Sequence, residues 1–183
     1  MRAGSLTLGA LLTTAALLSG CSGGAAPLGV STYGLGCAGF DAPPGQIHSF
    51  GSYVLQNQSR SMVTIQSVTL GTTSHGLKMT GGAWVMPIIG HNMIALGEWP
   101  PDRPPQQTPM APAWALRRRA DGAQIKPGQT RELMLGVART TTKPGWSGGP
   151  VIVYTAGGST FTLRKSPAIF LGQGRCLPGK SYA

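Results

Sequence analysis

The 183-residue chain has the length of one ordinary domain, and charged residues make up only 11% of it, against roughly 25% in soluble proteins generally. Its carboxylates are just Asp41, Glu98, Asp102, Asp121 and Glu132, set against 15 Lys and Arg for a net charge of +10. That supply leaves little for paired-carboxylate catalysis or for Mg²⁺ and Ca²⁺ sites, and no glycine-rich phosphate loop opens a helix. The 28 Gly and 15 Pro are balanced by a hydrophobic fraction of 41% spread along the chain, which argues against disorder throughout.

Arg2 precedes an uncharged apolar run, Leu6–Leu18, too short to span a bilayer, which takes about 20 residues. The run ends in Leu18-Ser19-Gly20-Cys21, and this tetrapeptide resembles a bacterial lipobox. The resemblance implies a lipoprotein signal peptide over 1–20 and a lipidated Cys21, which anchors the protein to the outer face of the cell membrane. Small residues from Cys21 onward read as a flexible tether over 21–36, and 37–183 reads as a single β-sandwich domain. Cys37 and Cys176 then form an even pair in an oxidising compartment, where a disulfide is the first expectation.

Further along, strands alternate with turns. Phe50–Leu55 is β-prone and is followed by the turn-prone Asn57–Arg60. Met62–Leu70 is rich in β-branched residues, and its alternation shifts phase between Ile65 and Val68, as a bulge would cause. Leu77–Ile88 is a strand interrupted at Gly81-Gly82, with Trp84 on a sheet face. The turn Lys126–Gln129 leads into Arg131–Val137, with Leu133, Leu135 and Val137 on one face. Val151–Tyr154 and Thr160–Leu163 flank the turn Ala156–Ser159 as a hairpin, and Ala168–Leu171 could close the sheet. About seven short strands with Gly/Pro turns predict an all-β, antiparallel Ig-like or fibronectin-like β-sandwich. Pro87–Arg119 offers no strand; with six prolines in Pro100–Pro112 it reads as a long Pro-rich irregular loop.

The strand spacing Val63, Ile65, Val68, Leu70 after an Asn-containing turn, with the later Gly122-Ala123, Ile125 and Pro127-Gly128, resembles small secreted lipoproteins of high-GC Gram-positive bacteria with an Ig-like domain. That resemblance implies a style of fold and no reaction.

Three constellations invite chemistry. Gly145-Trp146-Ser147-Gly148-Gly149-Pro150 resembles the segment around the nucleophile of trypsin-like serine proteases, which would make Ser147 the nucleophile, His48, His75 or His91 the base and Asp102 or Asp121 its orienter. Trp146 stands where that family has Asp, and a turn into the next strand accounts for the same letters. His75, His91 and Met93, near Met79, Met86 and Met110, suit copper or another metal, although Met79 and Met86 read first as core. Arg117-Arg118-Arg119 and the net positive charge point to an anionic lipid or a cell-envelope protein rather than nucleic acid, since no aromatic-interleaved basic stripe is present. Trp99 and Trp114 bracket the proline cluster Pro100–Pro112 inside that loop and join Arg117, Arg118 and Arg119 as the expected partner-binding residues.

The sequence thus leads to a membrane-anchored extracytoplasmic lipoprotein acting as a non-catalytic interaction module without a cofactor. The alternative is a metal-binding lipoprotein using His75, His91 and Met93.

Overall fold

Wherever β-branched and aromatic residues recur between turn-forming residues, the chain is extended. The computed structural model describes residues 26–32, 37–40, 42–90, 96–100, 111–164 and 168–172. Its elements in order are β1 (Leu28–Thr32), β2 (Cys37–Phe40), β3 (His48–Asn57), β4 (Val63–Leu70), β5 (Thr73–Ser74), β6 (Leu77–Met86), β7 (Leu96–Glu98), α1 (Ala111–Ala115), β8 (Arg118–Arg119), β9 (Gln124–Ile125), β10 (Thr130–Arg139), β11 (Gly145–Ser147), β12 (Pro150–Ala156), β13 (Ser159–Arg164) and β14 (Ala168–Leu171).

One sheet runs β1-β3-β10-β6-β8, with β7 beside β3. β1 pairs with residues 53–57 of β3 and β7 with residues 48–50, so the two share one edge of that strand. A second sheet runs β13-β12-β4-β9, and a third runs β2-β14-β11-β5. All pairs are antiparallel except β2 with β14. Both strands that feed the third sheet bend at glycine. β4 passes into β5 through Gly71, and β11 passes into β12 through Gly148-Gly149. The two bends are joined by Gly71 N–H to Gly149 O (2.7 Å) and Gly148 N–H to Thr72 O (3.0 Å). The second and third sheets are therefore one ribbon kinked in the middle.

Phe50, Tyr53 and Leu55 of β3 and Leu133, Leu135 and Val137 of β10 face Val63, Ile65 and Val68 of β4 and Ile152 and Tyr154 of β12, all buried in one core. Each such side chain contributes about 1.5–3 kcal/mol by leaving water. The phase shift in β4 is a bulge: Val153 pairs with Ser67 and Tyr154 with Ile65, which leaves Gln66 as the extra residue. A similar slip in β3, where Leu133 pairs with Tyr53 and Leu135 with Phe50, turns both aromatic rings inward. The turn after β3 is organised by the buried Asn57. Its Nδ2 donates to Ser61 O and Ile125 O (both 2.8 Å), and its Oδ1 accepts from Ser59 N–H (2.9 Å) and Oγ (2.8 Å).

The seven expected strands are present as β3, β4, β6, β10, β12, β13 and β14. Three boundaries need correction. The expected tether over 21–36 is too long: Leu28–Thr32 is a strand of the first sheet, and Leu28 is buried in the core. The expected strandless loop from Pro87 to Arg119 contains β7, α1 and β8. Gly145–Ser147, read as a turn, is a strand paired on both sides, with β14 and β5. Short strands of two to five residues lack the alternation that marks long ones, and their pairing comes from neighbours distant in sequence. Cys37 opens β2 opposite Ala168. Cys21 and Cys176, and with them the lipid acceptor and the expected disulfide, lie outside the described residues.

Candidate functional site

β10 is buried along nearly all its length because both of its faces are covered. Leu133, Leu135 and Val137 face the sandwich, while Met134 faces a second, small core with Met86, Ala113 and Trp114, flanked by half-buried Trp84 and Trp99. Glycine makes room for this lobe. A Cβ at Gly81 would lie 2.6 Å from the Trp99 ring, and one at Gly136 would lie 3.0 Å from it and 2.6 Å from the Gly81 Cα. The bare backbones of β6 and β10 are therefore the seat of Trp99. Trp99 meets Trp114 edge-on, with ring centroids 5.6 Å apart, and Trp84 lies 6.0 Å from Trp114.

α1 is a single turn with Pro112 near its start, where a missing N–H costs nothing. It closes with Leu116 N–H to Ala113 O (3.2 Å) and Arg117 N–H to Trp114 O (3.1 Å). The chain then presents three arginines in different roles. Arg117 stacks on Trp114 (4.3 Å to the centroid) and faces Trp84 (5.3 Å). Arg119 lies over Trp84 at 4.5 Å, and its Nη1 sits where a Cβ of Gly82 would be, 2.5 Å away. Gly82 also has φ +76°, which other residues adopt only with strain. Arg118, between them in sequence, is exposed and lines the neighbouring groove.

Beyond β8 the turn Ala120–Ala123 stitches the two sheets together. Ala120 N–H donates to Ala83 O of β6 (3.0 Å), Gly122 N–H donates to Ile65 O of β4 (2.9 Å), and Ile65 N–H returns to Ala123 O (2.9 Å). A groove of about 760 Å³ opens beside this stitch. Arg118, Arg119, Lys126 and Arg131 supply its positive charge and Asp121 its one carboxylate, while Met62, Val85, Met86, Pro87 and Leu116 supply apolar wall. Burial first, and the like charge of Arg118 second, hold the Arg131 guanidinium below its ordinary pKa. An anion in the groove would relieve that repulsion and accept charge-assisted hydrogen bonds from planar guanidinium forks.

The structure separates the residues expected to bind a partner. Arg118 and Arg119 are exposed on the groove, Arg117 is intermediate, Trp99 is half-buried in its glycine seat, and Trp114 is only 2% exposed. The tryptophans thus build the lobe that carries the arginines. Lys126 and Arg131 join the groove although nothing local marks them, since the turn Lys126–Gln129 and the strand after it have the sequence of scaffold. The pairing of β10 with β6, and of β6 with β8, brings Arg131 to the arginine run, and Lys126 follows β9, which pairs with β4.

Ser147 is fully buried, and its Oγ accepts from Gly149 N–H at 3.3 Å. His75 is exposed in the tight turn between β5 and β6, with φ 50°. His48 is buried on β3. His91, Met93, Met110 and Asp102 lie outside the described residues. Among the described residues no three His, Cys, Asp or Glu side chains gather as a metal site requires, and no helix is long and apolar enough to cross a membrane.

No family model matches the chain, and no curated protein matches it. Among solved structures, the ASH / PapD-like domain of human CEP192 (PapD-like domain 7) is similar over 82% of this chain and 87% of that one, at 6% identity and a TM-score of 0.41. The sheets themselves show an all-β, mostly antiparallel sandwich packed around one core.

Proposed function

We propose that this chain is a lipid-anchored, non-catalytic binding module of the outer face of the cell membrane, which takes an acidic partner on the groove beside β8. The observation that carries the reading is the groove's charge: four cations against one carboxylate, in a chain where cations outnumber carboxylates 15 to 5. Selection of an acidic partner by such a surface follows from electrostatic complementarity. The non-catalytic part is supported by the enclosure of Ser147, whose hydroxyl already accepts a backbone N–H. The anchor is supported by Arg2, the apolar run and Leu18-Ser19-Gly20-Cys21 in that order.

Cys21→Ser is expected to abolish incorporation of labelled palmitate and to move the protein out of the membrane fraction, or leave it unprocessed. Unchanged labelling and fractionation would overturn the anchor. A serine-reactive fluorophosphonate is expected to leave the protein unlabelled; labelling at Ser147 would overturn the non-catalytic reading.

A further inference from the structure

We infer that the groove binds one anionic glycerophospholipid, with Arg118, Arg131 and Lys126 around the phosphodiester headgroup and Leu116 and Met62 against the upper part of its acyl chains. The inference deepens the proposed function, and its orientation argument rests on the anchor at Cys21. Charge complementarity supplies the first argument: these cations share a groove with a single carboxylate, Asp121, and guanidinium groups match phosphate oxygens bidentately. Size supplies the second, since about 760 Å³ falls within the usual range for small-molecule sites, roughly 300–1,000 Å³.

The third argument separates a lipid from other anions. Large hydrophobic side chains are rarely exposed on the described surface; those that are comprise Met62, Ile89 and Leu116, at 39%, 37% and 62%. Two of these three line the groove with the cations. An acidic peptide or a free phosphate would satisfy the arginines and leave Leu116 and Met62 in water. An amphiphile uses both sets at once, as a cationic, partly apolar surface at a membrane interface does.

Chain geometry supplies the fourth argument. Pro27 O accepts from Gln58 N–H at 2.8 Å, and Asn57 N–H donates to Gln129 O at 3.1 Å; Gln129 and Met62 are both in the groove wall. The chain therefore enters the sandwich at the end that carries the groove. The six residues from Ser22 to Pro27 reach at most about 20 Å when extended, so an anchor at Cys21 holds that end close to the headgroups.

The test uses mature, acylated protein in nanodiscs of phosphatidylcholine that contain a diazirine-bearing lipid with either a phosphatidylglycerol or a phosphatidylcholine headgroup. After irradiation, adducts are mapped by mass spectrometry. The phosphatidylglycerol probe is expected to label residues 116–131 and Met62 well above the phosphatidylcholine probe. Arg118→Gln is expected to reduce that labelling about fivefold, the share of one near-surface cation. Leu116→Ser, at an exposed position that leaves the fold intact, is expected to reduce it as well. Inorganic phosphate and a short polyglutamate peptide are expected not to compete. Equal labelling by both headgroups, adducts confined to other surfaces, indifference to Leu116→Ser, or competition by phosphate or by the peptide would each overturn the inference. Failure of the anchor alone reads differently: protein would not stay with pure phosphatidylcholine discs, yet discs containing phosphatidylglycerol would still retain it.

Discussion

The two faces of the six-stranded sheet are packed by different means. On the inner face, aliphatic and aromatic side chains from two sheets interlock, and Asn57, one of several buried polar residues of these strands, has both its amide N–H donors and its carbonyl oxygen satisfied. On the outer face, a few Trp and Met side chains rest on bare glycine backbone under two stacked arginines. There, Trp114 Nε1 and Arg117 Nε are enclosed with no acceptor among the described residues, and each such group costs about 1–3 kcal/mol. The inner face is a fold determinant; the outer lobe is a less stable platform that holds arginines at a groove. Elements used for recognition are commonly drawn from this low-stability end.

The largest expected effect lies on the inner face. Leu135→Ala removes a wholly buried side chain and is expected to cost about 3 kcal/mol by the transfer and cavity contributions, lowering global stability in denaturant titration. Trp114→Ala is expected to cost less, about 2 kcal/mol, below the usual range for a buried Trp, because it also removes an unsatisfied N–H. Hydrogen exchange should show the loss confined to residues 111–119 and to the outer face of β6 and β10. Equal, global losses from both variants would break the comparison.

Gly136→Ala sharpens it. The new Cβ would lie 2.6 Å from the Gly81 Cα, so β6 and β10 must separate locally or Trp99 must leave its seat. About 2 kcal/mol of overpacking is expected, read as a drop in melting temperature together with a red shift and quenching of tryptophan emission. A drop without a fluorescence change would mean that the seat tolerates the methyl group and only the strand pair suffers.

The inner face also predicts a pH response. Burial pushes the Tyr53 phenol well above its ordinary pKa. The unfolded chain releases this proton from about pH 10, while the folded chain retains it. Above about pH 10 the unfolded state therefore binds fewer protons, and stability falls with pH by up to about 1.4 kcal/mol per unit from this group. Tyr53→Phe is expected to reduce the slope of denaturant stability between about pH 10 and pH 12. An unchanged slope would show that the phenol is not enclosed in solution.

The smallest effect belongs to the exposed arginine stack. Arg119→Gln loses one cation–π contact on Trp84 and is expected to cost less than about 1 kcal/mol, with a small change in near-UV circular dichroism. A loss as large as that from Trp114→Ala would mean that Arg119 holds the lobe together rather than decorating it.

Sequence alone determined the features that rest on local chemistry. Period-two alternation in Met62–Leu70 and Arg131–Val137, the hairpin around Gly157-Gly158, and even the bulge in β4 follow from neighbouring residues, because side-chain direction along a strand is a local property. The excess of cations over carboxylates, and the expectation of an acidic partner that follows from it, are likewise read from residue counts. Tertiary structure decided everything that depends on which strands become neighbours. By residue order alone β1 looks like a tether and β11 like a turn, because strands of three to five residues extend only when partners pair with them. Gly81 and Gly136 are 55 positions apart in numbering, and nothing local marks them as one seat for Trp99. Arg118 and Arg131 stand on either side of the stitch between the sheets, and their charges meet only because β6 pairs with both β8 and β10. Such long-range pairing is set by the fit of whole faces in the core, so the groove becomes visible only once the sheets are assembled.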